Sequence, residues 1–529
     1  MEQNSLQQVS RRNFMKGALV AGAATAAMGL AACSPSSPSD TGNLADTGSA
    51  SSVDWDQEAD IVIVGGGTGG SCAALAAAEA GASVIVIEAN SSIGGSGALC
   101  GGAIVGAGTK MQAEAGIEGD TGDALLRDTQ ASLEAMFGPD LVEHIGDDWR
   151  ITELHCAEAG NTVDWLVEHG VDIVGPSQQP GQPVARLHML YPDASAWPSV
   201  IQPQLEEAGV DLKFNTKGAE LIVENGRVVG VKTEGANGEC YRANKGVIMA
   251  TGSIEASKEW RKKIYTLAQS NVEASNKLND GTGIRMMCKV GADTTEYTAM
   301  AAAPALFCTA GNASHWYELL MNQMGAILVD SQGKRFASEN TPSGEMLLTV
   351  DALPDRQAFL VYDAAIAETP EMSTQPMLTI RGSGYGPFSE LEGQEGKVFF
   401  GDTIEEVAEA AGVDPAGLAA ELEKYNANAA AGSDPDFGRT NFGIATAGLT
   451  KPPYRIIGPV YATVMSGAFG VRVTDKLEVL DTMGEVIPGL YATGEGAHGL
   501  AKDFLTGAGG KFSWALTSGR LAGTYLASL

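Results

Sequence analysis

The chain has 529 residues, of which 44% are hydrophobic and 19% are charged, and 67 of them are glycine. This length exceeds what one hydrophobic core usually supports, so more than one domain is expected. The formal net charge of −31 argues against a nucleic-acid partner, because phosphates would be repelled. An acidic surface of this kind serves either solubility or steering towards a basic partner. The six histidines lack metal-ligand spacing and the seven cysteines form no CxxC or CxxCH, which predicts neither a metal site nor covalently bound haem.

The N-terminus carries a targeting pattern. Residues 10–16 read SRRNFMK, which resembles the twin-arginine export signal with Arg11 and Arg12 as the recognised pair. The apolar run 17–32 is too short and too weakly hydrophobic for a permanent membrane span. Export by the twin-arginine route, which carries folded proteins, is therefore predicted.

Residues 30–33 read LAAC and resemble a lipobox, in which Cys33 would be lipidated and become the mature N-terminus. The alternative is a small-residue cleavage site that happens to contain a cysteine. The following segment is rich in Ser, Pro, Asp, Thr and Gly, as in a flexible tether. We therefore predict a signal peptide with lipobox over 1–33, a linker over 34–54, and membrane contact through a lipid anchor at Cys33.

A nucleotide-binding pattern follows the linker. The β-branched run 59–64 predicts a buried parallel strand, and it leads into the glycine turn 65–70. A helix of small residues is predicted over 71–81, and a second buried strand over 83–87. This strand–turn–helix–strand order makes an otherwise weak glycine motif specific for a dinucleotide.

Each residue type in this turn meets a physical need of the ligand. Gly65 permits the tight turn, Gly67 lets the backbone approach a pyrophosphate, and Gly70 lets helix and strand pack closely. Glu88, after the second strand, is placed to accept hydrogen bonds from ribose hydroxyls. The predicted contacts here also include Thr68, Gly69 and Ala89.

A second glycine-rich loop, residues 91–102, is too long for an ordinary strand-to-helix turn. It resembles the loop of the fumarate reductase/succinate dehydrogenase/3-ketosteroid dehydrogenase flavoprotein superfamily. That resemblance implies FAD as the cofactor and a loop that runs under the pyrophosphate towards the flavin. The cofactor contacts it implies are Gly94, Gly95, Ser96, Gly101 and Gly102.

Later segments resemble the same superfamily. Residues 217–221 and 226–231 look like its strand pair beside the adenine, 246–252 like its strand ending in Ala-Thr-Gly, and 279–283 like its Gly-Asp-Gly turn. Residues 487–495 match its C-terminal flavin-binding strand, whose acid contacts the ribityl chain. A helix starting near Lys511 would point its positive end at the flavin pyrimidine. The cofactor contacts implied by these segments are Ala219, Ala250, Thr251, Gly252, Asp280, Gly494, Glu495, Gly510, Ser513 and Trp514.

The resemblance implies an α/β fold, with a discontinuous Rossmann-like FAD-binding domain and an inserted α+β capping domain. The FAD-binding domain is expected over 55–295 and 466–529, and the capping or substrate domain over 296–465. Such a cap closes over the substrate and excludes water. Amphipathic helices are predicted within the cap at 402–411 and 415–428.

The chain departs from fumarate reductases at the groups that hold a dicarboxylate. Each bidentate Arg–carboxylate contact is worth roughly 1.5–3 kcal/mol, so losing them all would abolish dicarboxylate recognition. The replacements are small or apolar and predict a neutral, hydrophobic substrate such as a steroid, a lactone or a phenolic. The family's cationic, histidine and proton-path positions fall on Ser343, near Leu319 and Asn322, near Leu306, on 465–470 and on Gly507.

A donor near the substrate carbonyl would lower the barrier to alkene reduction, and tyrosines have such roles in ketosteroid dehydrogenases. Tyr385, with Arg381 four residues before it, is a candidate whose alternative is an ordinary turn of the cap domain. Tyr191 and His188 form a second pair, and Tyr317 is a third candidate. Near the C-terminus, His498 and Lys502 are candidates in the loop after Glu495.

Three functions fit these patterns. The first is an exported FAD-dependent reductase of an activated C=C bond, resembling exported reductases of anaerobic gut actinobacteria. With neither CxxCH nor a second nucleotide motif, its electrons would come from an external membrane or multihaem cytochrome. The second is a ketosteroid-type dehydrogenase working in the oxidative direction. The third is a flavin electron-transfer lipoprotein without turnover of its own.

Overall fold

The computed structural model describes residues 53–137, 149–178, 183–235, 238–264, 276–295, 324–341, 346, 349–369, 398–461, 469–497 and 510–529. The strands, numbered in chain order, are β1 (Gln57–Val64), β2 (Val84–Ile87), β3 (Ala103–Val105), β4 (Ile173–Ser177), β5 (Leu187–Leu190), β6 (Asp211–Lys213), β7 (Gly218–Glu224), β8 (Arg227–Thr233), β9 (Cys240–Met249), β10 (Ile327–Val329), β11 (Gln357–Tyr362), β12 (Val398–Gly401), β13 (Tyr454–Tyr461), β14 (Glu478–Leu480) and β15 (Val486–Ala492). The helices are α1 (Thr68–Glu79), α2 (Lys110–Glu114), α3 (Gly122–Phe137), α4 (Trp149–Glu168), α5 (Trp197–Glu207), α6 (Lys258–Ile264), α7 (Thr282–Lys289), α8 (Ala364–Ala367), α9 (Ile404–Ala411), α10 (Pro415–Ala431) and α11 (Gly510–Ser528).

The largest sheet has the strand order β14-β15-β9-β1-β2-β6, and β8 joins it beside β9 with β7 as its antiparallel partner. Five of its eight strands, β15, β9, β1, β2 and β6, run parallel to one another. The β-branched residues of β1 and β2 are buried, as a parallel sheet covered on both faces requires. The strands predicted from 59–64 and 83–87 are therefore confirmed.

Helices α1 and α11 cross at close range on this sheet. A Cβ at Gly519 would overlap the Gly69 carbonyl oxygen, and one at Gly523 would overlap that of Ala73. Glycine at both positions of α11 lets the two backbones touch, which ties the C-terminus of the chain to the first glycine turn. Helix α1 begins at Thr68, three residues before its predicted start, because the glycine turn ends at Gly67, which is the N-cap of the helix.

A smaller antiparallel sheet has the strand order β3-β5-β4. Its three strands come between β2 and β6 of the main sheet in the sequence. Arg186, directly before the central strand β5, is fully buried and pairs with Asp120 at 2.6 Å and with Asp128 at 2.6 Å. Burial opposes the charge on Arg186, but the hydrogen bonds and charges of the two carboxylates outweigh it and raise the pKa. A buried charge needs such partners, so this group anchors the sheet.

The region between β10 and β13 has a core of its own. Its four strands form an antiparallel sheet in the order β10-β11-β13-β12, packed with α9 and α10. Both predicted helices are present: α9 starts after Thr403, which forms a capping box with Glu406, and α10 extends to Ala431. This separate core and the return of β15 to the main sheet are what a capped, discontinuous FAD domain requires, while the boundaries 55–295, 296–465 and 466–529 stay predictions.

A network of buried charges crosses this second core. Glu339 pairs with Arg335 at 2.6 Å and with Arg439 at 3.0 Å, and Arg335 also pairs with Asp434 at 2.9 Å. All four side chains are at most 1% exposed. Two positive and two negative groups neutralise one another, so the core accepts them.

The described cysteines all carry free thiols: Cys72 and Cys156, which are buried, and Cys100, Cys240 and Cys288, which are partly exposed. Among the described helices, none combines the length and the apolar character that a membrane crossing requires.

Candidate FAD site

The carboxyl ends of β1, β9 and β15 meet at one edge of the main sheet. Backbone pairing continues past each strand end, from Ala250 N–H to the Val64 carbonyl at 2.8 Å and from Thr493 N–H to the Met249 carbonyl at 3.0 Å. Ligands of open parallel sheets bind at this edge. The structure thus brings together three predicted segments that are far apart in sequence, namely the turn 65–70, the Ala-Thr-Gly at 250–252 and the Gly-Glu at 494–495.

The first glycine turn has a shape that side chains would destroy. Gly65 has φ +103°, which glycine adopts without strain, and a Cβ at Gly70 would overlap the Gly65 carbonyl oxygen. At Gly67 an added Cβ would meet only the Ala250 carbonyl oxygen, at 3.9 Å. The face of Gly67 is therefore open for close approach by a ligand. Helix α1 begins directly behind it without a side-chain cap, so its first N–H groups suit a pyrophosphate.

The second glycine loop lies directly on the first. Gly94 N–H donates to the Gly66 carbonyl at 2.8 Å, and Gly94 and Gly67 form a parallel bridge. A Cβ at Gly95 would come within 3.1 Å of the Gly67 Cα. Because the two backbones are this close, backbone N–H groups of both loops can bind the same pyrophosphate. The chain's residues therefore fit the cofactor that the sequence predicts.

Glu88 is 6% exposed, and its carboxylate is held on both sides. One oxygen accepts from Gly66 N–H at 2.6 Å and the other from Asn90 N–H at 2.7 Å. A carboxylate oriented in this way keeps lone pairs for the hydroxyls of a ribose. Its neighbour Ala89 is half-buried.

The turn 279–283 joins the second loop to the end of β9. Asn279 donates to the Ser96 hydroxyl at 3.1 Å, and a Cβ at Gly252 would overlap the Asn279 amide. Asp280 accepts from Lys217 at 2.9 Å and from Thr282 N–H at 2.8 Å. Burial opposes its ionisation, but these hydrogen bonds outweigh burial and lower the pKa of Asp280. The Asp280 carboxylate is thus held by Lys217, next to β7, where Ala219 is half-buried.

The end of β15 is tied to α11. The Ser518 hydroxyl lies 3.1 Å from the Thr493 hydroxyl and accepts from Gly494 N–H at 3.0 Å, while the Trp514 indole N–H donates to the Gly494 carbonyl at 3.1 Å. Trp514 and Ser513 are fully buried. Their side chains serve the scaffold in this structure, and a direct contact of either with FAD remains a prediction.

Ser513 also determines which ring nitrogen of the buried His155 carries the proton. Its hydroxyl donates to the Val105 carbonyl at 2.8 Å, so it accepts from His155 Nε2–H at 2.9 Å. His155 Nδ1 is then unprotonated. Burial lowers the pKa of His155 to about 3, so the ring is neutral at physiological pH.

The predicted catalytic residues that the structure describes lie on β5 and at its end. His188 is fully buried, with Nδ1–H donating to the Arg186 carbonyl at 3.0 Å and Nε2 accepting from the Thr109 hydroxyl at 3.1 Å. Burial lowers its pKa. Both ring nitrogens are used by the scaffold, which favours a positioning role for His188, and its catalytic role is still only a prediction.

Tyr191 is 57% exposed, and its strand runs beside the second glycine loop, where Leu190 N–H donates to the Gly102 carbonyl at 3.0 Å. Its position is compatible with a substrate contact, and the role stays a prediction. The other candidates, Tyr385, Arg381, His498, Lys502 and Tyr317, lie outside the described residues.

The sequence interpretation missed two polar residues of this edge, Ser253 and Glu255. They follow Ala250-Thr251-Gly252 at the end of β9, as Glu495 follows Ala492-Thr493-Gly494 at the end of β15. The sequence does contain a signal for these residues. Ala-Thr-Gly occurs twice, each time followed by an acid, at the ends of two neighbouring strands.

Comparison with known proteins agrees with this geometry. A model of the FAD binding domain family matches residues 60–510. The chain belongs to this family. A model of the twin-arginine translocation pathway signal sequence matches residues 8–28, which confirms the predicted export signal.

Similar proteins cover nearly the whole chain. Digoxin reductase of Eggerthella lenta is 29% identical over 98% of this chain and 97% of its own. The open conformation of a flavocytochrome c3 fumarate reductase is 25% identical, with a TM-score of 0.76 over 90% of this chain and 79% of that one. The 3-ketosteroid Δ1-dehydrogenase of Sterolibacterium denitrificans, 20% identical, shares the fold with a TM-score of 0.71 over 89% and 99% of the two chains.

These likenesses confirm the superfamily, the fold class and FAD as cofactor. The protein is an exported FAD-dependent oxidoreductase of the fumarate reductase-like type, acting on CH–CH groups.

Proposed function

We propose that this protein reduces the activated C=C bond of a neutral, hydrophobic molecule, of the steroid, lactone or phenolic enone type, and does not reduce fumarate. Its electrons come from an external membrane or multihaem cytochrome on the outer face of the cell membrane. A likeness to digoxin reductase along nearly the whole chain supports a substrate without carboxylates.

The observation that carries the proposal is that the buried arginines are already bound to groups of the protein itself. A dicarboxylate site needs buried cations that are available to a ligand. Of the buried arginines in the described parts of the chain, three pair with carboxylates of the protein and one donates to the Glu255 carbonyl: Arg186, Arg335, Arg439 and Arg261 respectively. The positions where the family's cations are expected, such as Ser343 and Gly507, lie outside the described residues and hold uncharged side chains.

When bound, FAD supplies a hydride to one carbon of the alkene. This chain's contribution is to hold the pyrophosphate on the two glycine loops and the ribose on Glu88. A proton donor for the second carbon and a hydrogen-bond donor for the activating carbonyl are expected among six residues: Tyr385, Arg381, Tyr191, His188, His498 and Lys502.

The proposal is tested by turnover of the whole FAD-loaded protein. It is reduced without oxygen, and reoxidation of the flavin absorbance is recorded with enones, unsaturated lactones, phenolics, fumarate and urocanate. We expect rapid reoxidation by a neutral alkene and a rate with fumarate at least 100-fold lower, since each lost ion pair removes about 1.5–3 kcal/mol.

Fumarate reoxidation at a rate similar to that of the best neutral alkene would contradict the proposal. Reoxidation by none of the alkenes would favour the electron-transfer lipoprotein. Flavin reduction by a saturated ketosteroid, with no reverse activity, would favour the dehydrogenase. A Tyr385→Phe variant tests the first proton-donor candidate, and its unchanged rate would remove it.

A further inference from the structure

Two acids lie at the edge of the main sheet where β1, β9 and β15 end and where the FAD site is predicted. Glu255, behind β9, is fully buried, and Glu495, behind β15, is half-buried. The Ser253 hydroxyl lies between them, in contact with Glu255 Oε2 and 3.3 Å from Glu495 Oε2. Ile254 N–H also donates to Glu255 Oε2, at 3.1 Å. The three side chains form a continuous row at the strand ends.

The protons of this row can be counted. A serine hydroxyl has one hydrogen, so it donates to one carboxylate oxygen at a time. It can be hydrogen-bonded to both acids only if one of them carries a proton and donates it to the serine oxygen. Two ionised carboxylates around one hydroxyl would also repel each other in a dry interior.

The surroundings place that proton on Glu255. Burial and the negative charge of Glu495 raise the pKa of Glu255, against smaller opposing effects of Ser253 and of Lys511 at the start of α11. Arg261 of α6 donates to the backbone carbonyl of Glu255. Near Glu495, Cys100 has its pKa raised to about 12, by burial above all and in part by that carboxylate, and stays a neutral thiol.

We propose that Glu255, Ser253 and Glu495 form a proton relay that stores one proton on Glu255 and passes it to Glu495 beside the flavin. In the transfer, the Glu255 O–H bond breaks as its proton binds the Ser253 oxygen, while the original Ser253 proton moves to Glu495 Oε2. Glu255 becomes a carboxylate, Ser253 is unchanged in charge, and Glu495 becomes a carboxylic acid. No electron moves within the relay, and its total charge is conserved.

Such a relay would compensate the negative charge that flavin reduction adds to the site. Electrons arriving from an external carrier add negative charge, and a proton moved closer to that charge offsets it. The relay rests on the identification of the site as a flavin site, and it is independent of which alkene is reduced.

Infrared difference spectroscopy of the FAD-loaded protein, oxidised minus reduced, tests the relay without substrate. A neutral carboxylic acid has a C=O band that shifts in heavy water. At pH 7 the wild-type protein should lose one such band on reduction and gain another. Glu255→Gln should lack both bands, while Ser253→Ala should keep the oxidised-state band and lose its change on reduction.

Glu421→Gln is the matched control. Glu421, on α10 in the second core, is also a buried acid with a pKa raised mainly by burial. Its removal should leave the redox-linked bands unchanged. Bands that persist in Glu255→Gln, or that change in Ser253→Ala as in wild type, would overturn the relay whatever the outcome of the substrate panel.

Stability gives a second measurement, which needs no flavin chemistry. An acid whose pKa is raised by folding destabilises the folded state once pH exceeds the unfolded value near 4.5. Glu255→Gln should therefore have a higher thermal midpoint than wild type at pH 8, and the difference should vanish near pH 4.5. The absence of this pH-dependent gap would show that Glu255 is ionised in the folded protein.

Discussion

At the scale of single residues, function depends on polar groups that the fold holds in one orientation. Glu88 is fixed by two backbone N–H groups, and His155 by the Ser513 hydroxyl. Glu88 and His155 are both buried, so bulk water does not compete for their hydrogen bonds. Changing one atom in such a group should have a measurable effect on binding or on the pH dependence of stability.

Glu88→Gln should weaken FAD binding by about tenfold or more. The amide turns one acceptor oxygen into an NH₂ group facing a backbone N–H, and removes the charge that ribose hydroxyls donate to, at a cost of about 1.5–3 kcal/mol. The dissociation constant is measured by titrating apoprotein with FAD. Glu114→Gln, the same change at an exposed site, is the control, and equal affinities of the two variants would contradict the role of Glu88.

His155→Gln should make the protein less sensitive to mild acid. Its folded pKa of about 3 lies below the unfolded value of 6.5, so the unfolded state binds a proton first and stability falls as pH drops below 6.5. Between pH 6.5 and 5 this removes roughly 2 kcal/mol from the free energy of unfolding of wild type. Glutamine keeps an N–H donor for Ser513 without titrating.

Urea unfolding at pH 7 and pH 5 measures both proteins. The loss of unfolding free energy should be smaller in His155→Gln by about that amount. Equal losses in the two proteins would mean that His155 is protonated in the folded state.

At the scale of elements, the site is assembled by close backbone packing. Helix α11 touches α1 through glycines and binds the end of β15 through Ser518 and Trp514. The C-terminal helix therefore holds both the first glycine turn and the Gly494-Glu495 end of the sheet.

Gly519→Ala should be destabilising although alanine favours helix. Its Cβ would overlap the Gly69 carbonyl oxygen, and overpacking of about 1–3 kcal/mol exceeds the roughly 1 kcal/mol gained in helix propensity. We expect a lower thermal midpoint and weaker FAD binding, since Gly69 belongs to the cofactor turn. Thr524→Ala, exposed on the same helix, should be nearly neutral, and a Gly519→Ala midpoint at or above wild type would refute the close crossing.

At the scale of the whole molecule, the chain joins an export signal to a fold whose described residues form two large hydrophobic cores and one small one. The main core includes the FAD edge of the parallel sheet, and the second core has its own antiparallel sheet and buried charges. The proposed lipid anchor would hold this acidic protein at the outer face of the cell membrane, where its negative charge would attract a basic cytochrome as the proposed electron donor.

Cys33→Ser tests the proposed lipid anchor. If Cys33 is lipidated, the wild-type protein should sediment with membranes, and the variant should be exported but released, because the serine hydroxyl does not replace the acylated thiol. Fractionation with an antibody measures both forms. A variant with Arg11 and Arg12 changed to lysine controls for export and should remain in the cytoplasm; equal membrane association of wild type and Cys33→Ser would exclude the anchor.

Sequence by itself determined the export signal, the FAD-binding fold and the positions of the glycine turns predicted to hold the cofactor. These features are local: a turn such as Gly65–Gly70 needs particular residues at particular spacings, and a buried strand needs a β-branched run, so each is visible in a short window. The resemblance of several distant segments to one superfamily then identified the cofactor.

Only the tertiary structure decided which polar side chains act together. Ser513 contacts His155, which lies 358 positions away, and Ser253, two residues before Glu255, reaches Glu495, which lies 242 positions away. It also showed that both ring nitrogens of His188 are hydrogen-bonded to the protein, while the predicted catalytic role of His188 stays a prediction. Burial and hydrogen-bond partners set a group's charge and availability, and both arise only when distant segments pack against each other.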